Sequence, residues 1–335
     1  MVTPAQVVDA YGRRFTYLRV SVTDVCNLRC VYCMPEEGVA WLPKDEILSY
    51  EEITTVVEAA AAVGVYKVRL TGGEPLARRE IATLAGMIAR VPGITDLALT
   101  TNGLLLGKYA ADLKAAGLKR INISLDTLNP EKFIQIARRG RLEDVLEGIA
   151  AAQAAGLAPI KLNMVVLGGL NDDEVESFAA MTLERPLDMR FIEYMPLQEA
   201  KDCALGSGSF GFVPNTVTKE RLTRRFGTLD PLEVGNSMRG PAEVWRIPGA
   251  AGRLGFISAM SAPFCAKCDR LRLTANGELR SCLLDGGGVE VKSLLRGGGS
   301  TADLVNAFRQ AAALKPELHK VWHEIPASAM SRIGG

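Results

Sequence analysis

Residues 17–35 read YLRVSVTDVCNLRCVYCMP. The first seven, YLRVSVT (17–23), are rich in β-branched and aromatic residues and read as a strand. The loop leaving that strand carries Cys26, Cys30 and Cys33, with His319 and His323 far away at the other end of the chain. Structural zinc normally takes four thiolate or imidazole ligands in a closed tetrahedron. A cubic 4Fe-4S cluster can instead be held by three cysteine thiolates, leaving one iron open to a ligand that is not protein. The spacing Cys-x3-Cys-x2-Cys after a strand therefore reads as a cluster site with one open corner, whereas a cysteine triplet without that context would suggest zinc or a plain redox role.

Outward from this strand, similar β-rich runs recur: KVRLTGG (67–73), DLALTTNG (96–103), RINISLDT (120–127), IKLNMVVLG (160–168) and LDMRFIEYMP (187–196). Ala/Leu-rich segments with helical spacing separate them, including SYEEITTVVEAAAAVG, REIATLAGMIARV, GKYAADLKAAG and LEDVLEGIAAAQAAG. Strands alternating with helices predict successive βαβ units and a parallel sheet, an α/β fold. The rhythm stops after the sixth strand. LGSGSFGF (205–212) reads as a flexible connection, followed by a helix-like TKERLTRRFG, and the mixed pattern beyond it predicts two domains, residues 1–225 and 226–335.

The polar residues within the strands carry the next inference. Strands of a parallel barrel are ordinarily near-continuous apolar runs. With a period of two along each strand, one face here collects Arg19 and Ser21, Arg69 and Thr71, Thr100 and Asn102, Asn122 with Ser124 and Asp126, Lys161 and Asn163, and Arg190. Burying cations without partners costs several kcal/mol each, so such a ring predicts a polar lumen built around an anionic ligand. The alternative is that some of these side chains sit at strand ends and reach solvent or a neighbouring Asp.

Composition bounds the setting. Lys and Arg number 39 against 38 Asp and Glu, a net charge of +1, so nothing global draws the chain to nucleic acid or an anionic membrane. The longest apolar stretches, such as LAGMIARV and NMVVLGGL, fall short of the roughly 20 residues of a membrane span. The start, MVTPAQVVDAYGRR, lacks the apolar core of a signal peptide, which predicts a cytoplasmic protein. In a reducing compartment seven clustered cysteines are read as metal ligands before disulfides.

A second set lies in PFCAKCDRLRLTANGELRSCL (263–283), where Cys265, Cys268 and Cys282 are spaced Cys-x2-Cys-x13-Cys. It reads as a second three-thiolate 4Fe-4S site. The remaining Cys203 either completes a four-thiolate zinc site with these three or is a small thiol without a role.

The cysteine loop after the first strand resembles the signature of the radical S-adenosylmethionine enzymes. That resemblance implies a partial (β/α)6 barrel of the TIM type, with S-adenosylmethionine on the open iron of the first cluster as the source of a 5′-deoxyadenosyl radical. Tyr32, Gly73 in TGGEP, Ser124 in NISLD and Met195 in EYMP match positions that contact S-adenosylmethionine in similar enzymes; alone, Gly73 would be a turn glycine and Met195 a core residue.

The joint occurrence of SVTDVCNLRCVYCMPEEG, VRLTGGEPLARRE, LTTNGLLL, INISLDTLNPEKF, KLNMVVLGGLNDDE, MRFIEYMP, FCAKCDRLRLT and the final IGG resembles one branch of those enzymes, the GTP 3′,8-cyclases of molybdenum cofactor biosynthesis. The branch implies a smaller C-terminal α+β domain whose cluster binds guanine, and GTP held by Arg19, Arg69, Thr100, Lys161, Arg190, Arg270, Leu271 and Arg272. It implies radical rearrangement of GTP to (8S)-3′,8-cyclo-7,8-dihydro-GTP without an acid–base residue, with Arg190, Arg270 and Arg272 as assistants and the Gly334–Gly335 tail entering the site. Implied partners are a flavodoxin- or ferredoxin-type electron donor and, functionally, cyclic pyranopterin monophosphate synthase; the chain itself is expected to be a monomer or homodimer. A peptide-modifying radical maturase with an auxiliary cluster, or a non-catalytic iron–sulfur or zinc redox protein, are the competing readings.

Overall fold

A computed structural model of the chain describes residues 6–195, 210–233, 240–284, 287–319 and 330–333. Cys203, Gly334 and Gly335 lie outside the described residues.

Six parallel strands follow one another in chain order, β1 (Tyr17–Ser21), β2 (Lys67–Thr71), β3 (Asp96–Thr101), β4 (Arg120–Ser124), β5 (Ile160–Gly168) and β6 (Asp188–Glu193). Helices α1 (Tyr50–Ala62), α2 (Ile81–Ala89), α3 (Leu106–Ala115), α4 (Pro130–Ala137), α5 (Leu142–Ala154) and α6 (Val175–Glu184) join them. Local sequence fixes several helix starts. Ser49 and Glu52 form a reciprocal capping box ahead of α1, and the Asn129 side chain caps α4, which begins with Pro130.

The alternation read from the sequence assigns the two faces. Leu18, Val20, Val68, Leu70, Leu97 and Leu99 are buried against the helices, in one core that runs on through Ile121, Leu162, Met189 and Phe191. Each such side chain withdrawn from water contributes about 1.5–3 kcal/mol, which holds the opposite, polar face in register.

The C-terminal part adds strands to both edges of this sheet. After α7 (Asn215–Phe226), β10 (Arg253–Ile257) pairs in parallel with β6, and β11 (Arg270–Leu273) pairs in parallel with β1. Eight strands of the described chain thus run parallel, in the order β11-β1-β2-β3-β4-β5-β6-β10. Antiparallel extensions finish each side: β9 (Glu243–Arg246) and β8 (Asp230–Pro231) beyond β10, β12 (Glu278–Arg280) and β13 (Gly288–Glu290) beyond β11. Within the stretch read as a flexible connection, Gly211–Phe212 form a short strand, β7, on β5. Two further helices, Lys292–Arg296 and Thr301–Ala313, precede a last turn at Met330–Ile333.

Candidate active site

The first cysteine trio sits where β1 ends, on the rim at which barrel enzymes place their chemistry. Two arginines brace its loop. Arg29 donates to the carbonyls of Cys26 and Leu28, both at 2.8 Å, and Arg138 donates to those of Arg29 and Met34, both at 3.3 Å. The loop after β2 lies directly against it: Gly73 N–H donates to Thr23 O and Glu74 N–H to Val25 O, each at 2.8 Å. A Cβ on Gly73 would come to 2.5 Å from Asp24 O, and one on Gly72 to 2.5 Å from Thr23 O. Glycine is needed at these positions because two backbones touch there. Tyr32, inside the trio, donates from its hydroxyl to Asp126 Oδ2 at 2.7 Å, and Asp126 Oδ1 accepts from Val165 N–H at 2.8 Å. Burial pushes the Asp126 carboxyl up to about 6.

The polar strand faces converge as the period of two predicts. Arg272, Arg19 and Arg69 stand abreast on β11, β1 and β2, and one row nearer the strand starts lie Arg270, Tyr17 and Lys67. Burial lowers the pKa of Arg19, and the neighbouring charges of Arg272, Arg69 and Arg270 lower it further. Burial also brings Arg272 and Arg190 down to about 10. Lys161 differs: it reaches Asp188 Oδ2 at 3.2 Å, a carboxylate that also takes Arg253 at 2.7 Å. For this residue the neighbouring-Asp alternative describes the local contact. Burial, joined by Arg190, brings Lys161 down to about 7. Arg190 fits beside β10 because residue 255 is glycine; a Cβ there would meet its Cγ at 3.0 Å.

The second trio approaches from the opposite end. The segment 258–269 crosses from the finish of β10 to the start of β11, carrying Cys265 and Cys268, and the β11–β12 hairpin returns Cys282 to the same end. The register pairs Arg270 with Tyr17, so Cys268 lies near the start of β1 and Cys26 beyond its finish. β1 alone separates those ends by about 13 Å at 3.3 Å per residue. Both trios, all four S-adenosylmethionine candidates and Arg19, Arg69, Thr100, Lys161, Arg190, Arg270 and Arg272 line one cavity of about 340 Å³. Buried and without a hydrogen-bond partner among the described residues are Arg69 Nε, Thr100 Oγ1, Asn122 Oδ1 and Asn163 Oδ1. Such orphaned groups on a cavity wall mark where a polar ligand supplies the missing bonds.

One candidate stands apart from the rest. Leu271 lies on the other face of β11, pairs with Leu18 and is 1% exposed within the apolar core. The same alternation that turns Arg270 and Arg272 toward the cavity turns its side chain away.

A family model described as Radical SAM superfamily matches residues 20–182, and one described as Molybdenum Cofactor Synthesis C matches residues 187–321. The chain is 49% identical to the GTP 3′,8-cyclase of Pelotomaculum thermopropionicum over 98% of its own length and 99% of the relative's. It belongs to the GTP 3′,8-cyclase family. The GTP 3′,8-cyclase of Thermodesulfovibrio yellowstonii is 47% identical, over 98% of this chain and 99% of that one. Among solved structures, Streptococcus suis SuiB bound to S-adenosylmethionine aligns with a TM-score of 0.57 at 15% identity, covering 89% of this chain and 69% of SuiB. That likeness speaks for the fold alone.

The cofactors of a radical S-adenosylmethionine GTP 3′,8-cyclase are two 4Fe-4S clusters and S-adenosylmethionine, and the donor sets here fit them. None of the six described cysteines is in a disulfide. Among the described residues no three His, Cys, Asp or Glu side chains close on one point as a single metal ion requires; a cube takes its thiolates at three separate corners. Burial pushes Cys26 up to about 11 and Cys30 well above the usual thiol range, so a bound cationic group is what would hold them as thiolates. Cys268 behaves oppositely: Arg270 and Lys315 outweigh its burial and bring it down to about 7.

Several residues of this GTP 3′,8-cyclase site escaped sequence reasoning. Lys67 and Tyr17 line the cavity in step with Arg69 and Arg19, and extending the alternation two residues back along each strand finds them. Glu74, raised to about 7 by burial, accepts from Leu76 N–H, Thr101 Oγ1 and Asn102 N–H beside the first trio; its signal was the acid directly after two glycines. Lys315 and His319 line the second trio's side with no local signal at all. Glu193 lies out of phase with the lumen. It accepts from Asn215 N–H, Met260 N–H and Ser261 N–H, each at 2.9 Å, and from the Ser261 hydroxyl, tying β6 and α7 to the segment that leads into Cys265. Glu193→Ala strands three N–H donors, that of Asn215 buried and those of Met260 and Ser261 part-buried; the buried one alone costs about 1–3 kcal/mol. A markedly lower melting temperature and faster amide exchange at Met260 and Ser261 are expected, with Glu193→Gln milder.

Proposed function

We propose that this chain converts GTP to (8S)-3′,8-cyclo-7,8-dihydro-GTP, the first step of molybdenum cofactor biosynthesis. The observation that supports this best is the placement of two separate three-cysteine sets at opposite ends of one cavity whose wall carries Arg272, Arg19 and Arg69 side by side. In this reading Cys26, Cys30 and Cys33 hold the cluster that engages S-adenosylmethionine, and Cys265, Cys268 and Cys282 hold the one facing the guanine base. When bound, the first cluster and S-adenosylmethionine would supply the 5′-deoxyadenosyl radical needed to remove hydrogen from the ribose C3′, and joining C3′ to C8 of guanine would then take up one electron and one proton to reach the 7,8-dihydro product.

The chain's own residues position and shield. Tyr32, Gly73, Ser124 and Met195 line the S-adenosylmethionine end, and Thr100 and Lys161 join Arg190, Arg270 and the arginine row in holding GTP, the guanidinium forks being suited to phosphate oxygens. Holding both nucleotides between the trios brings C3′ within reach of the radical and keeps water out. Residues 226–335 form the substrate-side part in this reading. A flavodoxin- or ferredoxin-type donor supplies electrons, and cyclic pyranopterin monophosphate synthase uses the product. No helix of the described residues is long and apolar enough to cross a membrane.

Anaerobic, cluster-loaded chain incubated with GTP, S-adenosylmethionine and a reductant should form the cyclised nucleotide with one 5′-deoxyadenosine per turnover. Release of 5′-deoxyadenosine without any GTP-derived product would overturn the reading, and modification of a peptide would favour a maturase.

A further inference from the structure

Lys315 follows directly on the helix Thr301–Ala313 and its C-cap Leu314, and is 5% exposed. Its Nζ donates to Arg270 O at 2.9 Å and to Ser281 O at 2.5 Å, and stands 5.5 Å from the centre of the Phe15 ring. Arg270 is two residues beyond Cys268, and Ser281 immediately precedes Cys282. One ammonium therefore ties together the two arms of the β11–β12 hairpin, next to two of the three thiols. The backbone that presents it is clamped as well: Arg13 Nη2 donates to Lys315 O at 3.4 Å and Pro316 O at 2.7 Å, while its Nη1 donates to Cys265 O at 2.9 Å.

The charges around Lys315 are unusual for a buried lysine. Among the described residues Lys315 makes no salt bridge to a carboxylate, and the carbonyls it binds belong to residues within two positions of Cys268 and Cys282. Two neutral carbonyls satisfy its hydrogen bonds but not its charge, and a buried cation is costly without an anion. Three thiolates and their sulfides supply that anion. The relation is reciprocal, because a fixed positive charge beside an iron–sulfur cluster favours its more negative, reduced state, and charge and hydrogen bonding set such potentials.

We propose that Lys315 is a positioning residue of the second cysteine trio and the counter-charge of the iron–sulfur cluster held there, raising that cluster's reduction potential. This rests on the reading of Cys265, Cys268 and Cys282 as a cluster site. Lys315 spans the hairpin through carbonyls flanking two of the ligands, so it fixes their spacing.

The test is a redox titration followed by electron paramagnetic resonance on the anaerobically loaded full chain, with both clusters monitored. Lys315→Gln keeps a polar side chain near the carbonyls and removes the charge; Lys315→Arg keeps the charge. In Lys315→Gln the midpoint of the second cluster should move to a more negative potential while the first stays in place, and Lys315→Arg should lie near the parent. A fully loaded Lys315→Gln with an unmoved second midpoint overturns the proposal. Should Lys315→Gln fail to hold the second cluster, retention by Lys315→Arg supports the counter-charge, and loss in both overturns it in favour of shape alone. A parent chain that itself loads a single cluster would instead sink the cluster reading beneath the proposal.

Discussion

Cys268→Ala is expected to load about four irons per chain where the parent loads about eight, and to lose GTP cyclisation entirely. Its 5′-deoxyadenosine release should survive, uncoupled from product. The asymmetry comes from position. Cys268 belongs to the end of the cavity where β11 begins, whereas the loop braced by Arg29 and Arg138 lies beyond the finish of β1 and shares no ligand with it. Cys30→Ala should give the complementary result, retaining about four irons and the second cluster's spectrum but releasing no 5′-deoxyadenosine. Cys268 is also the thiol that Arg270 and Lys315 hold low despite its burial, so losing it removes a thiolate already favoured before metal arrives. Iron counting, zinc analysis and product assays on the two variants decide the matter. Zinc in place of iron, or an iron content unaffected by Cys268→Ala, would end the two-cluster reading.

How much of this was legible in the sequence divides along a physical line. Period-two alternation placed Arg19, Arg69, Asn122, Lys161 and Arg190 on one surface, because a strand leaves its side chains no third direction, and the structure puts all five on the cavity wall. The cysteine loop was legible for the same reason: ligands close in sequence must be close in space. What could not be read was pairing between distant segments. Nothing local says that Arg253–Ile257 and Arg270–Leu273 extend the parallel run at its two opposite edges, nor that Lys315 reaches the hairpin bearing Cys268 and Cys282. The side chain of Leu271 lies on the core face, as the alternation that turns Arg270 and Arg272 to the cavity requires.

Arg19→Met should shift stability and substrate affinity in opposite directions. In the chain without nucleotide, Arg19 is pressed by Arg272, Arg69 and Arg270, and burial already disfavours its charge. Exchanging a crowded cation for an apolar side chain of similar length relieves that repulsion and the cost of burying its charge. Because Arg19 keeps some contact with the open cavity, water screens part of the gain. A stabilisation on the order of 1 kcal/mol is expected. On the proposed reading the sign reverses with GTP, since the triphosphate would lose a charge-assisted contact worth about 2–3 kcal/mol, or about 30- to 150-fold in affinity. Guanosine, which has no phosphate, should bind parent and variant alike. The salt dependence of GTP binding should also weaken, because one fewer cation meets the phosphates. A row of arginines serving only the fold would behave otherwise: Arg19→Met would melt lower than the parent, and GTP and guanosine would be affected equally. Thermal melts without nucleotide, set beside GTP and guanosine titrations, separate the two cases, because a residue held in a strained, charged row for its ligand's sake is the one whose removal helps the empty protein and harms the filled one.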